Sequence, residues 1–311
     1  ELRLPLTPAG FVSVGKPGHH CLFEPMEALC TFLFRMAHRC TWSTLVQIMG
    51  GRAASAYSAC FYAVLNHIYA SFKGCVDDIT RWAGRGHFEE WAKAIFVAGA
   101  PAQRCIGFID GTFRACARPT DGHLQRLLHS GYYKSHGFKF QAVVAPNGLI
   151  VDLYGCCAGR RHDSYMLSQS GFLRRMQTSC TLEAHAGGRR GQDMYYVYGD
   201  PAYGRSRYVM RGAKGAMSNR ARRTYAQMNG KRVAVEWKFC TVIQEFSFVD
   251  NTKILKAGEM PLARIYYVAA LLSNMKVCLN AERFFDTHGG LISRHFNVSP
   301  PSLNAFLYGP L

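Results

Sequence analysis

The stretch Ile106-Gly107-Phe108-Ile109-Asp110-Gly111-Thr112 decides the fold class. A short apolar run that stops at Asp-Gly reads as a buried strand presenting a carboxylate at its end. Downstream, Phe138, Phe140, Ala142 and Val144 alternate with the period of a strand, Pro146-Asn147-Gly148 supplies a turn, and Leu149 to Tyr154 returns. Asp163 or Ser164 then caps a helix running to about Met176. Tyr195 to Tyr198 forms another strand, which ends at Gly199-Asp200-Pro201, and Val233, Trp237, Cys240 and Ile243 recur at helical spacing up to Phe246. Strand, hairpin, strand, helix, strand and closing helices describe an α/β protein with its sheet flanked by helices.

Upstream the texture is helical. Met26, Leu29, Phe32, Leu33 and Met36 form one stripe, Leu45, Val46 and Met49 lead to Gly50-Gly51, and Tyr57, Phe61, Leu65, Ile68 and Phe72 form a third from a start near Ala53. Helix, short helix, glycine turn and helix is compatible with a helix-turn-helix. A helical cap on the next domain is slightly favoured, because Ala53-Ala54-Ser55-Ala56 offers few side chains that read bases. Ala83 to Gly99 reads as a connecting helix and loop. The expected organisation is a helical N-terminal region over 1–99, with a degenerate helix-turn-helix as the alternative, a sheet domain over 100–280 and a C-terminal tail over 281–311. Gly187 to Gly191 is a loop rich in Gly and Arg.

With 311 residues, 49% of them hydrophobic, the chain can bury a substantial core without staples. Its 37 Lys and Arg against 20 Asp and Glu give a formal charge of +17, which favours a polyanionic partner, nucleic acid first. Charge alone fits an ordinary basic protein equally well. The twelve cysteines lack the paired short spacing of a zinc site and read as buried thiols of a reducing, intracellular compartment. No stretch approaches the roughly 20 uninterrupted apolar residues of a membrane span. The chain opens at Glu1 rather than Met, as expected of a processed or trimmed fragment.

Asp110 and Asp200 each follow an apolar strand, where an open sheet presents side chains to a ligand crevice, and Glu236 lies on a helix. If the two strands are neighbours and the helix crosses them, three hard oxygen donors converge on a site suited to a pair of Mg2+ ions. Taken singly, each has a plainer reading: a tight turn at Asp110-Gly111, a strand-ending turn at Asp200-Pro201, a solvated helix position at Glu236.

The combination goes further. Phe108-Ile109-Asp110-Gly111-Thr112, Gly199-Asp200-Pro201-Ala202-Tyr203 and Val235-Glu236-Trp237-Lys238-Phe239 resemble, in order, the three acidic blocks of PIF/Harbinger-type transposases of the DDE superfamily. Gly159-Arg160-Arg161-His162-Asp163-Ser164, the late helix Tyr266 to Asn274 and the tail Pro300-Pro301-Ser302-Leu303 are also similar to blocks of that family. Gly204 stands where many relatives place proline, and the Gly50-Gly51 junction is looser than the family's helix-turn-helix.

The resemblance implies an RNase H-like fold and a metal-dependent nuclease. Asp110, Asp200 and Glu236 would be its catalytic metal ligands, holding two Mg2+ with Mn2+ as a substitute. It implies cleavage at terminal inverted repeats, joining of the freed 3′ ends to target DNA, and a nuclear location. It also suggests a Myb-like or other DNA-binding partner and a homo-oligomer. Asp163 is read as a helix cap or a group supporting the ligands, with auxiliary ligation as the alternative, and His162 as a local hydrogen-bonding group. Arg160 and Arg161 are expected on phosphates, with Arg220, Arg222 and Arg223 as a further basic cluster that also fits a nuclear-localisation signal; Arg189 and Arg190 are read as loop residues. The competing function is a domesticated, non-catalytic DNA-binding or scaffolding protein. A cellular RNase H-like nuclease unrelated to transposition leaves the tail and late helix unexplained.

Overall fold

The computed structural model describes residues 10, 12–16, 19–185, 194–212, 215, 217–283 and 289–309. A hairpin of β1 (Val12–Lys16) and β2 (His19–Phe23) leads into α1 (Pro25–Ala37), α2 (Trp42–Met49) and α3 (Ala54–Phe72). The hairpin has no counterpart in the sequence reading: among its described residues Val12, Val14 and Phe23 are buried, too few to leave an alternating pattern. Pro25 opens α1, where a missing N–H costs nothing. Thr41 caps α2 by accepting the Thr44 N–H at 3.1 Å. Gly50 and Gly51 both lie at positive φ, +67° and +71°, and end that helix in a turn that L-residues resist. The turn is pinned: Arg52 forks onto Glu27 of α1 at 2.6 and 2.9 Å while its guanidinium lies 4.1 Å over Phe23. Short α4 (Gly74–Asp77) and α5 (His87–Val97) complete this region, and its apolar stripes join the same core as the rest of the chain.

The sheet begins with β3 (Cys105–Ala115), followed by α6 (Gly122–Leu128), β4 (His129–Ser130), β5 (Ser135–Val144), β6 (Ile150–Ala158), α7 (Asp163–Gln169), α8 (Phe172–His185), β7 (Tyr196–Gly199) and β8 (Val209–Arg211). Across the sheet the order is β6-β5-β3-β7-β8, with β4 on the start of β5. The first three strands form an antiparallel meander; β7 and β8 run parallel to β3. Flanked by helices, this mixed sheet is RNase H-like, as the sequence blocks implied.

Local departures from the sequence reading have physical causes. The opening strand does not end at Asp110 but runs on to Ala115, because β5 continues to pair with it down to Ala115↔Gly137. The return strand likewise extends past Tyr154 to Ala158, still paired with β5, and β8, only three residues long, is too short to leave a periodic signal. The helix expected to reach Met176 is two helices, broken at Ser170-Gly171, where Gly171 has φ +68°. Neither Asp163 nor Ser164 caps it: His162 holds the cap position, and Asp163 points instead at Lys139.

The chain closes with α9 (Asn219–Glu245), α10 (Leu262–Arg283), α11 (Leu291–Phe296) and α12 (Leu303–Tyr308). By length and composition α10 passes as a membrane span, yet Ile265 to Met275 are buried within the protein, as in a core helix. The late-helix block has a structural meaning. Tyr266 stacks on Phe140 at 4.2 Å, Tyr267 donates to the Leu153 carbonyl, and the buried Asn274 amide both accepts the Ile150 N–H and donates to the Ile150 carbonyl. Asn274 thereby satisfies backbone groups of β6 that the sheet leaves unpaired.

A candidate active site of three carboxylates and one arginine

The parallel ladder between β3 and β7 ends at the pair Ile109↔Gly199, so the residues that follow it on the two strands are Asp110 and Asp200. Asp110 thus stands mid-strand but at the end of the parallel pairing, where β7 leaves and a crevice opens. The flanking glycines are packing requirements. A Cβ on Gly199 would lie 2.8 Å from Ile109 Cγ2 and 3.0 Å from Tyr203, and one on Gly111 would meet Asp163 Oδ1 at 2.8 Å. Asp110 Oδ1 accepts the Gly111 N–H, and Asp200 Oδ1 accepts the Ala202 N–H, each at 2.8 Å.

Helix α9 packs on β3, β5 and β7 and brings Glu236 to the same crevice. One turn earlier it carries Arg232, which sequence reasoning missed. Arg232 Nη1 donates to Asp110 Oδ2, and Nη2 lies 3.0 Å from Glu236 Oε1. Burial is the main reason Asp110 is pushed up to about 6; Arg232 and the Gly111 N–H oppose it, while the negative charges of Asp200 and Glu236 add to it. The acids therefore share one electrostatic environment.

All three line a groove of about 900 Å³, together with Arg160, Arg161, His162 and Asp163. A family model described as DDE superfamily endonuclease matches residues 109–274, more than half of the chain. The chain belongs to the DDE superfamily endonucleases. No curated protein and no solved structure matches it.

Within this DDE endonuclease, the remaining sequence candidates divide by position. Asp163, half-way between exposed and buried, accepts a hydrogen bond from Lys139 of β5, an ion pair that the sequence reading did not anticipate. The available signal was Lys139, a charge alternating with Phe138 and Phe140 on the strand. Arg160, Arg161 and His162 are exposed on the groove, the Arg161 guanidinium lying 4.4 Å over Tyr165. Arg220, Arg222 and Arg223 are exposed on the first turns of α9 and do not line the groove. Arg220 instead borders a separate cavity of about 370 Å³ with Tyr196, Tyr198 and Tyr225. Arg189 and Arg190 lie outside the described residues.

Endonucleases of this superfamily generally use divalent metal ions. Carboxylate oxygens are the hard donors such ions take, so Asp110, Asp200 and Glu236 fit by chemistry. Among the described residues, however, no three His, Cys, Asp or Glu side chains are gathered as an ion would need. The Arg232 guanidinium contacts two of the donors, Asp110 and Glu236, and its buried Nε lacks a partner among the described residues.

Proposed function

We propose that the chain is the catalytic part of a Harbinger-type transposase, cutting DNA at transposon terminal inverted repeats and joining the freed 3′ ends to target DNA. The observation that carries the reading is the register Ile109↔Gly199, which brings Asp110 beside Asp200 with Glu236 facing them from α9. In this reading the three carboxylates hold two Mg2+ ions, for which Mn2+ can substitute. Bound there, such a pair activates the attacking water or 3′-hydroxyl and steadies the leaving oxygen.

The chain's own residues do the rest. Arg160 and Arg161 bind backbone phosphates at the groove wall. The Lys139–Asp163 pair, packed against Gly111, fixes the strand that carries Asp110. Freed from the acids, Arg232 turns toward the negative charge of the incoming phosphate. The charge of +17 supports a DNA substrate, and the exposed Arg220, Arg222 and Arg223 support either a second DNA contact or a nuclear-localisation signal. A Myb-like or other DNA-binding partner and self-association belong to the same reading.

A second reading, a non-catalytic DNA-binding or scaffolding protein that keeps the fold, is favoured by one observation: the Arg232 guanidinium pairs with both Asp110 and Glu236. The deciding experiment is cleavage of DNA carrying element ends with and without Mg2+, comparing the chain with Asp110→Asn. Mg2+-dependent cutting lost in the variant supports the nuclease; binding without cutting at any metal concentration supports the scaffold.

A further inference from the structure

Three aromatic rings form a step on the wall of the same groove. Phe113, three residues beyond Asp110 on β3, lies in a slot made by two glycines: a Cβ on Gly137 or Gly159 would come within 2.6 or 2.7 Å of its ring. Tyr133 stacks on Phe113 with centroids 4.3 Å apart and planes 10° from parallel. Tyr132 meets Tyr133 edge-on at 4.8 Å and 84°, and is 88% exposed. Both tyrosines sit on the turn between β4 and β5, where Tyr133 N–H donates to Ser130 Oγ and Lys134 holds a positive φ of 49°. Burial, then the negative charge of Asp163, with smaller contributions from Tyr132 and Asp110, raises the Tyr133 hydroxyl above its ordinary range, so the step lies within electrostatic reach of the acids.

A ring as exposed as Tyr132 is held by little besides Tyr133, and the groove around it carries, beside the carboxylates, the exposed Arg160 and Arg161. Phosphate-binding cations beside an uncovered π-face are the two elements with which proteins hold single-stranded nucleic acid. Within a duplex both faces of each base are covered by neighbours, so only an unpaired, terminal or flipped base has a face to offer. We propose that Tyr132, supported by Tyr133 and Phe113, is a stacking platform for an unpaired DNA base next to the phosphate held in the groove. The platform makes the protein prefer DNA that is open at that position. The proposal rests on the DNA-substrate reading, and needs no bond to be cut.

The test uses the full chain in EDTA with two oligonucleotide duplexes, one carrying a single unpaired 2-aminopurine and one with the same base paired. Binding is read by anisotropy and stacking by quenching of the probe. The wild type is expected to quench the unpaired probe and to bind its duplex more tightly than the paired one. Tyr132→Ala should lose roughly 5- to 160-fold on the unpaired duplex, as expected for one base-aromatic stack, and little on the paired one. Tyr132→Trp should restore both quenching and preference. Equal binding of the two duplexes by the wild type, or an equal loss on both in Tyr132→Ala, overturns the platform while leaving DNA binding intact. Failure to bind either duplex overturns the DNA reading and the platform together. Because metal is absent, a chain that never cleaves still returns one of these results.

Discussion

Replacing Arg232 with Met isolates what the guanidinium does. It is the counter-ion of Asp110, with side chains only 18% and 16% exposed, while Glu236 at 50% is half in water. Breaking a buried ion pair costs about 3–5 kcal/mol because the remaining charge is left uncompensated. Water at the Glu236 side lowers this, so a loss of about 2–3 kcal/mol is expected in EDTA at about pH 8, discounted for that screening. At roughly 2 °C per kcal/mol for a chain of this size, the melting temperature should fall by ~4–6 °C.

The loss has a pH signature. Asp110 titrates at about 6 in the fold, above its unfolded value of about 3.9, so native protein binds the extra proton between those values and stability falls as pH rises through them. Protonated Asp110 needs no counter-ion. The Arg232→Met penalty should therefore fade below about pH 6 and grow above it, reaching full size only above the still higher value that Asp110 takes without the guanidinium. Divalent metal should reverse it, adding about 2.7 kcal/mol at one hundred times the dissociation constant. Metal should also bind the variant more tightly than the wild type in the absence of DNA, because no guanidinium has to leave. Thermal melts in EDTA and in Mg2+ or Mn2+, from pH 4 to 8, with calorimetric metal titrations, measure all of this. A variant as stable as wild type in EDTA, or one that binds metal more weakly, would refute the view of Arg232 as a resident cation between the acids.

Asp163→Asn should cost about 1–2 kcal/mol through its partly buried pair with Lys139 and leave residual cleavage, whereas Asp200→Asn should abolish cleavage and shrink the metal-induced melting rise; normal folding with no cleavage in Asp163→Asn would make it a metal ligand. Lys238 is 1% exposed, donates to Ser273 at 3.1 Å, and burial pushes it down to about 8. Its folded value is below the unfolded one, so the unfolded chain binds more protons between about pH 8 and 10.4, and stability should rise with pH across that window by up to about 3 kcal/mol. Lys238→Met should remove that rise in urea titrations at pH 7.5 and 9.5. Arg160→Ala with Arg161→Ala should weaken DNA binding alike for all sequences and flatten its salt dependence; a loss confined to one sequence would mean these side chains read bases.

Periodicity alone determined much of this protein. The apolar stripes of α1, α2 and α3, the alternation of β5, the Pro146-Asn147-Gly148 turn and the spacing of α9 are local signals, written within a few residues of the elements they form. Asp110 and Asp200 stand where apolar runs stop in the sequence, whereas Glu236 has no local signal beyond the block it shares with the transposase family. What tertiary structure decided is every relation between distant segments. Nothing near Ile106 says that β3 continues past Asp110, since that depends on β5 still pairing beyond the point where β7 stops. Asp163 reads as a cap in isolation because an acid at a helix start usually is one, yet Lys139, twenty-four residues earlier in the chain, draws it into an ion pair. Arg232 lies one turn before Glu236 in plain view, but its meaning comes from Asp110 across 122 positions of sequence. Electrostatic pairing in a half-buried crevice is a property of proximity in space, and a sequence read element by element carries the charges without the distances.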